Sequence, residues 1–87
     1  MPNYKIPESI LIQSVANESV LLEPDSGNYF TLDEVGSRMI ELYKINHSIE
    51  KTAVQMACEF EVSEQTAGND LRQLLETMQQ HGLAEQV

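Results

Sequence analysis

Gly27-Asn28-Tyr29-Phe30-Thr31-Leu32-Asp33-Glu34-Val35-Gly36 is the stretch on which the fold turns. Up to Leu32 it reads as a strand carrying two aromatics, with no Pro and no charge. At Asp33 a helix N-cap takes over. From there Val35, Met39, Leu42 and Tyr43 recur at spacings of four, three and one, which is helical. The chain therefore divides here into a strand-forming part and a helix-forming part.

Upstream, Pro24-Asp25-Ser26-Gly27 is a turn: Pro presets φ and Gly supplies a positive one. Before it, Ser19 to Glu23 reads as a strand. Ala16-Asn17-Glu18 turns, and Ile10 to Val15 is an earlier β-branched strand. Links this short allow no crossover, so the three strands form an antiparallel meander.

Downstream, Asn46-His47 closes the first helix and Ser48 caps a second, with Ile49, Ala53, Met56, Ala57 and Phe60 on one side. Ser63 caps a third, striped by Ala67, Leu71, Leu74, Leu75 and Met78 and stopped at Gly82. The expected class is α+β: a three-stranded meander covered by three helices. The last two helices form a helix-turn-helix, so the whole resembles a winged helix with an N-terminal wing.

Composition narrows the function. The chain has 87 residues, room for one domain and little for a walled catalytic cavity. Asp and Glu number 14 against 5 Lys and Arg, a net charge of -9. That field repels nucleic acid and anionic membrane and attracts a basic peptide. The third helix carries Glu64, Asp70 and Glu76 against Arg72, whereas a DNA-reading helix needs cations to meet phosphates. A winged-helix DNA-binding regulator is therefore disfavoured despite the architecture. Cys58 is the single cysteine, so no internal disulfide or thiolate cage forms, and its place beside the second helix's stripe predicts core packing. His47 and His81, each near a helix end, read as partners of the helix dipole. No secretion signal or membrane span is legible, which predicts a cytoplasmic protein. No catalytic motif occurs, so no enzyme, metal or cofactor is expected.

One feature asks for a partner. The two edges of the meander are its first and third strands. Pro2, Pro7, Lys5 and Glu8 guard the approach to the first. The third, Asn28 to Leu32, has no such guard and is open to another strand. Pairing of that edge with a second copy is the competing reading; a monomer is expected.

The same residues resemble the PqqD family of peptide-recognition domains. The resemblance rests on Val20-Leu21-Leu22, on Gly27-Asn28-Tyr29-Phe30-Thr31-Leu32-Asp33-Glu34-Val35-Gly36, and on Asp70-Leu71, Leu74-Leu75, Met78 and Gly82-Leu83. It spans roughly residues 10–84 of a single domain over 1–87. The family often has Asn where Asp33 stands and Gly where Asn46-His47 stands; Asp caps as well as Asn, and Asn tolerates a positive φ. The resemblance implies a non-catalytic adaptor that binds the leader of a ribosomally made precursor peptide and presents its core to a leader peptidase, cyclase or other modifying enzyme. Lasso-peptide pathways are favoured, with pyrroloquinoline quinone biosynthesis the alternative.

The resemblance places the leader as a strand added beside Asn28, Tyr29, Phe30, Thr31 and Leu32. Ala67, Leu71, Leu74 and Met78 would form the groove wall, and Asp70 beside it would meet a basic or hydroxyl group. Strand addition offers about four or five main-chain hydrogen bonds of ~0.5–1.5 kcal/mol net each. Association costs ~4–15 kcal/mol, so apolar anchors at ~1.5–3 kcal/mol each must supply the affinity.

Overall fold

The computed structural model describes residues 3–87. Met1 and Pro2, the latter counted above among the guards of the first strand, lie outside the described residues. The elements are β1 (Tyr4–Lys5), β2 (Leu11–Val15), β3 (Glu18–Leu22), β4 (Tyr29–Leu32), α1 (Glu34–Asn46), α2 (Ile49–Glu59), α3 (Glu64–Gln80) and β5 (Glu85–Gln86). The predicted meander is β2-β3-β4, antiparallel in that order. Its first hairpin turns on two residues, Ala16 and Asn17, with Ala16 at φ 56°. Its second turns through Pro24 to Gly27, where Gly27 takes φ 76° and donates its N–H to the Glu23 carbonyl.

The helices begin where short polar caps stand. Asp33 accepts from the Gly36 N–H, Ser48 from Lys51 and Ser63 from Thr66, each satisfying a donor left free in a first turn. His47 ends α1 in the left-handed region at φ 54°. Gly82 follows α3 at φ 75°, and the Leu83 N–H reaches back to the Met78 carbonyl.

Strand alternation then sorts side chains. Ser19, Leu21 and Leu32 turn inward and are buried, while Leu11, Val15, Tyr29 and Thr31 are exposed on the outer face. The inward face shares one core with Met39, Ile40, Leu42 and Tyr43 of α1, Met56 of α2 and Leu71, Leu75 and Met78 of α3.

Two features depart from the sequence reading. The chain's ends pair: Tyr4 lies opposite Gln86 and Lys5 opposite Glu85. The Tyr43 hydroxyl donates to the Tyr4 carbonyl and accepts from the Tyr4 N–H, fastening that pair to α1. Two-residue strands have no periodicity to read, so only the fold reveals them. Cys58 is exposed, not core. It stands two residues past fully buried Met56, about 200° around the helix, which turns it to solvent.

Candidate functional site

Strand β4 has a partner on one side only. The Glu23 N–H donates to the Asn28 carbonyl, which sets the phase of the β3–β4 ladder. With Leu21 opposite Phe30 and Ser19 opposite Leu32, alternation makes these the hydrogen-bonded pairs. Phe30 and Leu32 thus spend their main-chain groups on β3. Tyr29 and Thr31 aim their N–H and C=O groups away from the sheet. Among the described residues no other strand meets them.

Beside this edge runs a groove of about 510 Å³. Phe30, Thr31 and Leu32 line it from β4, Asp70 and Leu74 from α3, and Val35 and Met39 from α1. The α3 wall is held at a defined distance from β4. Asn28 Nδ2 donates to the His81 carbonyl at 3.2 Å. The Phe30 ring lies 5.5 Å from the His81 ring, centroid to centroid, at 58°. His81 Nδ1 is 2.9 Å from the Thr77 carbonyl, an oxygen that only accepts, so Nδ1 carries the proton and the ring is held for this contact.

The structure separates the residues singled out in the sequence. Phe30, Thr31, Leu32, Asp70 and Leu74 come together on the groove. Tyr29, 67 % exposed, lies on the outer sheet face with its backbone on the open edge. Asn28 acts as the tie to α3. Ala67, Leu71 and Met78, at 1 %, 0 % and 0 % exposure, belong to the core behind the wall. They support the wall and do not surface in the groove. The reason is angular: Asp70 and Leu74 are one turn apart on the margin of the apolar stripe, whereas Leu71, Leu75 and Met78 occupy its centre.

Sequence reasoning missed Glu18, Val35, Met39 and His81. Val35 and Met39 were legible only as a helical stripe. Their exposure to the groove depends on where α3 lies, which no local pattern carries. His81 read only as a dipole partner.

A meander wing whose β4 edge is free, followed by a helix-turn-helix whose last helix flanks that edge, defines a winged-helix-like α+β class. Within that class the lineage is specific. Residues 18–84 match the family described as coenzyme PQQ synthesis protein D (PqqD), and the chain belongs to that family. Among solved structures it is similar to TbiB1 in complex with the TbiA(beta) leader peptide, at 32 % identity and a TM-score of 0.84, covering 93 % of this chain and 94 % of that one. It has the fold of a lasso peptide synthetase B1 complexed with its leader peptide, at 23 % identity and a TM-score of 0.83, covering 95 % and 98 %. No curated protein matches the chain.

Among the described residues, no group of three or more His, Cys, Asp or Glu is placed to hold a metal ion. No described helix is long and apolar enough to cross a membrane.

Proposed function

We propose that this chain is a non-catalytic adaptor of lasso-peptide biosynthesis. It binds the leader segment of a ribosomally made precursor by strand addition to β4 against α3. It thereby presents the core segment to a leader peptidase, a cyclase or another modifying enzyme. The observation that carries the reading is the pair of outward-facing backbone units at Tyr29 and Thr31 beside an apolar groove. The 32 % identity to TbiB1, whose structure holds a leader peptide, supports it.

The energetics suit this division of labour. Two residues offer two donors and two acceptors, each worth ~0.5–1.5 kcal/mol net. That only begins to offset the ~4–15 kcal/mol cost of association. The groove supplies the remainder through burial of apolar side chains over Phe30, Met39 and Leu74. The backbone sets register and the groove sets affinity.

The test is titration of isotope-labelled protein with a synthetic lasso-precursor leader, the TbiA(beta) leader peptide being one. Amide signals of residues 29–32 and 70–74 should move together, and saturably. Movement confined to other surfaces, or none, would refute the proposal.

A further inference from the structure

The sheet has a second free edge. Strand β2 pairs with β3 on one side and, among the described residues, with no strand on the other. The residues read as its guards do not sit on it: Lys5 belongs to the β1–β5 pair, and Pro7 and Glu8 fall before the strand. From Leu11 to Val15 there is neither Pro nor charge. The phase of this edge is defined. Ser19 and Leu21 spend their main-chain groups on β4, so the β3 residues that bond to β2 are Glu18, Val20 and Leu22, opposite Val15, Gln13 and Leu11. Ile12 and Ser14 are left with N–H and C=O groups aimed away from the sheet.

The surroundings of that edge are apolar and uncovered. On the outer face Leu11 and Val15 are 55 % and 61 % exposed. On the inner face Ile12 and Ser14 line a cavity of about 320 Å³ with Ile40, Glu41, Lys44 and Ile45 of α1, and Ile45 is 69 % exposed. The cavity carries one Glu and one Lys, so this patch is neutral on a chain of net charge -9.

We propose that this edge takes the same edge of a second copy, β2 against β2 and antiparallel, about a two-fold axis at Gln13. The strand is self-complementary in that register. Ile12 of one copy lies opposite Ser14 of the other, and each such pair exchanges both main-chain bonds, which uses every group that β3 leaves free. On the inner face a large side chain thus stands beside a small one. On the outer face Leu11 meets Val15 of the second copy and Gln13 meets its own counterpart, all in the closer, non-hydrogen-bonded spacing that favours side-chain contact. Two exposed apolar residues of each copy cover one another. One acid and one base per copy on the α1 wall give unlike charges to set across the axis, where an all-acidic wall would repel. A five-residue edge covers less than the ~800 Å² per partner of a standard interface, so the dimer is weak and concentration-dependent. Both β4 edges stay at the outer ends of the joined sheet, so association and leader docking do not compete.

Sedimentation of the full chain from roughly 10 µM to 1 mM, at ~0.15 M salt to screen the net charge, should show its mass rising from one copy toward two. Amide signals of residues 11–15, and not 29–32, should shift with concentration. Gln13→Glu and Gln13→Lys alter an exposed side chain and set like charges together at the axis. Each alone should associate more weakly, and their equimolar mixture about two- to five-fold more tightly than either. Ser14→Pro removes a donor that β3 does not use and should abolish association. Saturation with the TbiA(beta) leader peptide should leave the dimer in place. A mass of one copy at every concentration would overturn the inference. So would concentration shifts confined to residues 29–32, which would put self-pairing at β4, or a mixture of the two Gln13 variants no tighter than its parts. Leader-induced shifts at residues 11–15 in a chain that stays single would give the edge to a foreign strand and overturn it as well.

Discussion

Asn28, the residue before β4, reaches across to the residue that caps the C-terminus of α3, its side-chain amide donating to the His81 carbonyl at 3.2 Å. This bond joins the two banks of the groove through side chain and backbone, outside both the sheet ladder and the helix. It ties the banks together at the surface, beside the Phe30–His81 ring pair, while buried Leu71, Leu75 and Met78 hold α3 in the core.

Asn28→Ala should therefore lower affinity for a leader peptide more than it lowers stability. The contact is exposed, so the stability loss should stay under about 1 kcal/mol in urea unfolding. The affinity loss should be several-fold by anisotropy. A loss of stability without a loss of binding would show that the tie serves folding alone.

The phase of the β3–β4 ladder separates two substitutions at adjacent positions. The Thr31 N–H faces the open edge, so Thr31→Pro removes a donor that β3 never used. The Phe30 N–H faces β3, so Phe30→Pro breaks the ladder and removes a ring packed against the core. Thr31→Pro should keep a cooperative unfolding transition near the parent's while weakening peptide binding at least several-fold. Phe30→Pro should cost about 3 kcal/mol or more. The reverse ranking in thermal melts would place the ladder in the other phase.

Glycine at position 68 lies inside α3, where a Cβ would sit 3.7 Å from the Ala53 Cβ, an ordinary contact across the α2–α3 seam. Gly68→Ala should stabilise the protein by about 0.5–1 kcal/mol through backbone entropy. Gly82→Ala should do the opposite, by about 1–2 kcal/mol, because φ there is +75°. Paired urea titrations decide both signs.

Acid should loosen the β3–β4 turn at a defined point. The Ser26 hydroxyl and, secondarily, the Ser26 N–H donate to the Glu23 carboxylate and hold its pKa below the ordinary 4.5. A depressed carboxylate contributes stability that is present above its unfolded pKa and is lost as pH falls through the folded value. The Ser26 amide shift should thus titrate with a midpoint under 4.5, and Glu23→Gln should remove that transition. A midpoint above 4.5 would contradict the geometry.

Much of this molecule was legible along the chain. Gly27 to Gly36 marked the passage from strand to helix because cap chemistry and side-chain spacing are local properties. Asp33, Ser48 and Ser63 announced three helix starts for the same reason. The open edge followed from short links and from the lack of Pro or charge between Asn28 and Leu32. Hydrophobic spacing, however, assigned Cys58 to the interior, and the resemblance joined to that spacing assigned Ala67, Leu71 and Met78 to the groove wall, where the structure buries them. A stripe tells which side of a helix is apolar, not how far round it a neighbour reaches.

Sequence by itself determined the order of the three meander strands and the three helices, the caps, the acidic field and the strand left without a guard, since each depends on residues a few positions apart. Tertiary structure decided which face of α3 is wall and which is core, and it brought Tyr4 to Gln86. It also placed Val35, Met39 and the carboxylates of Glu18, Asp33 and Asp70 along one groove. Those relations depend on how the helices lie against the sheet, a consequence of burying all the apolar stripes together that no single stretch encodes.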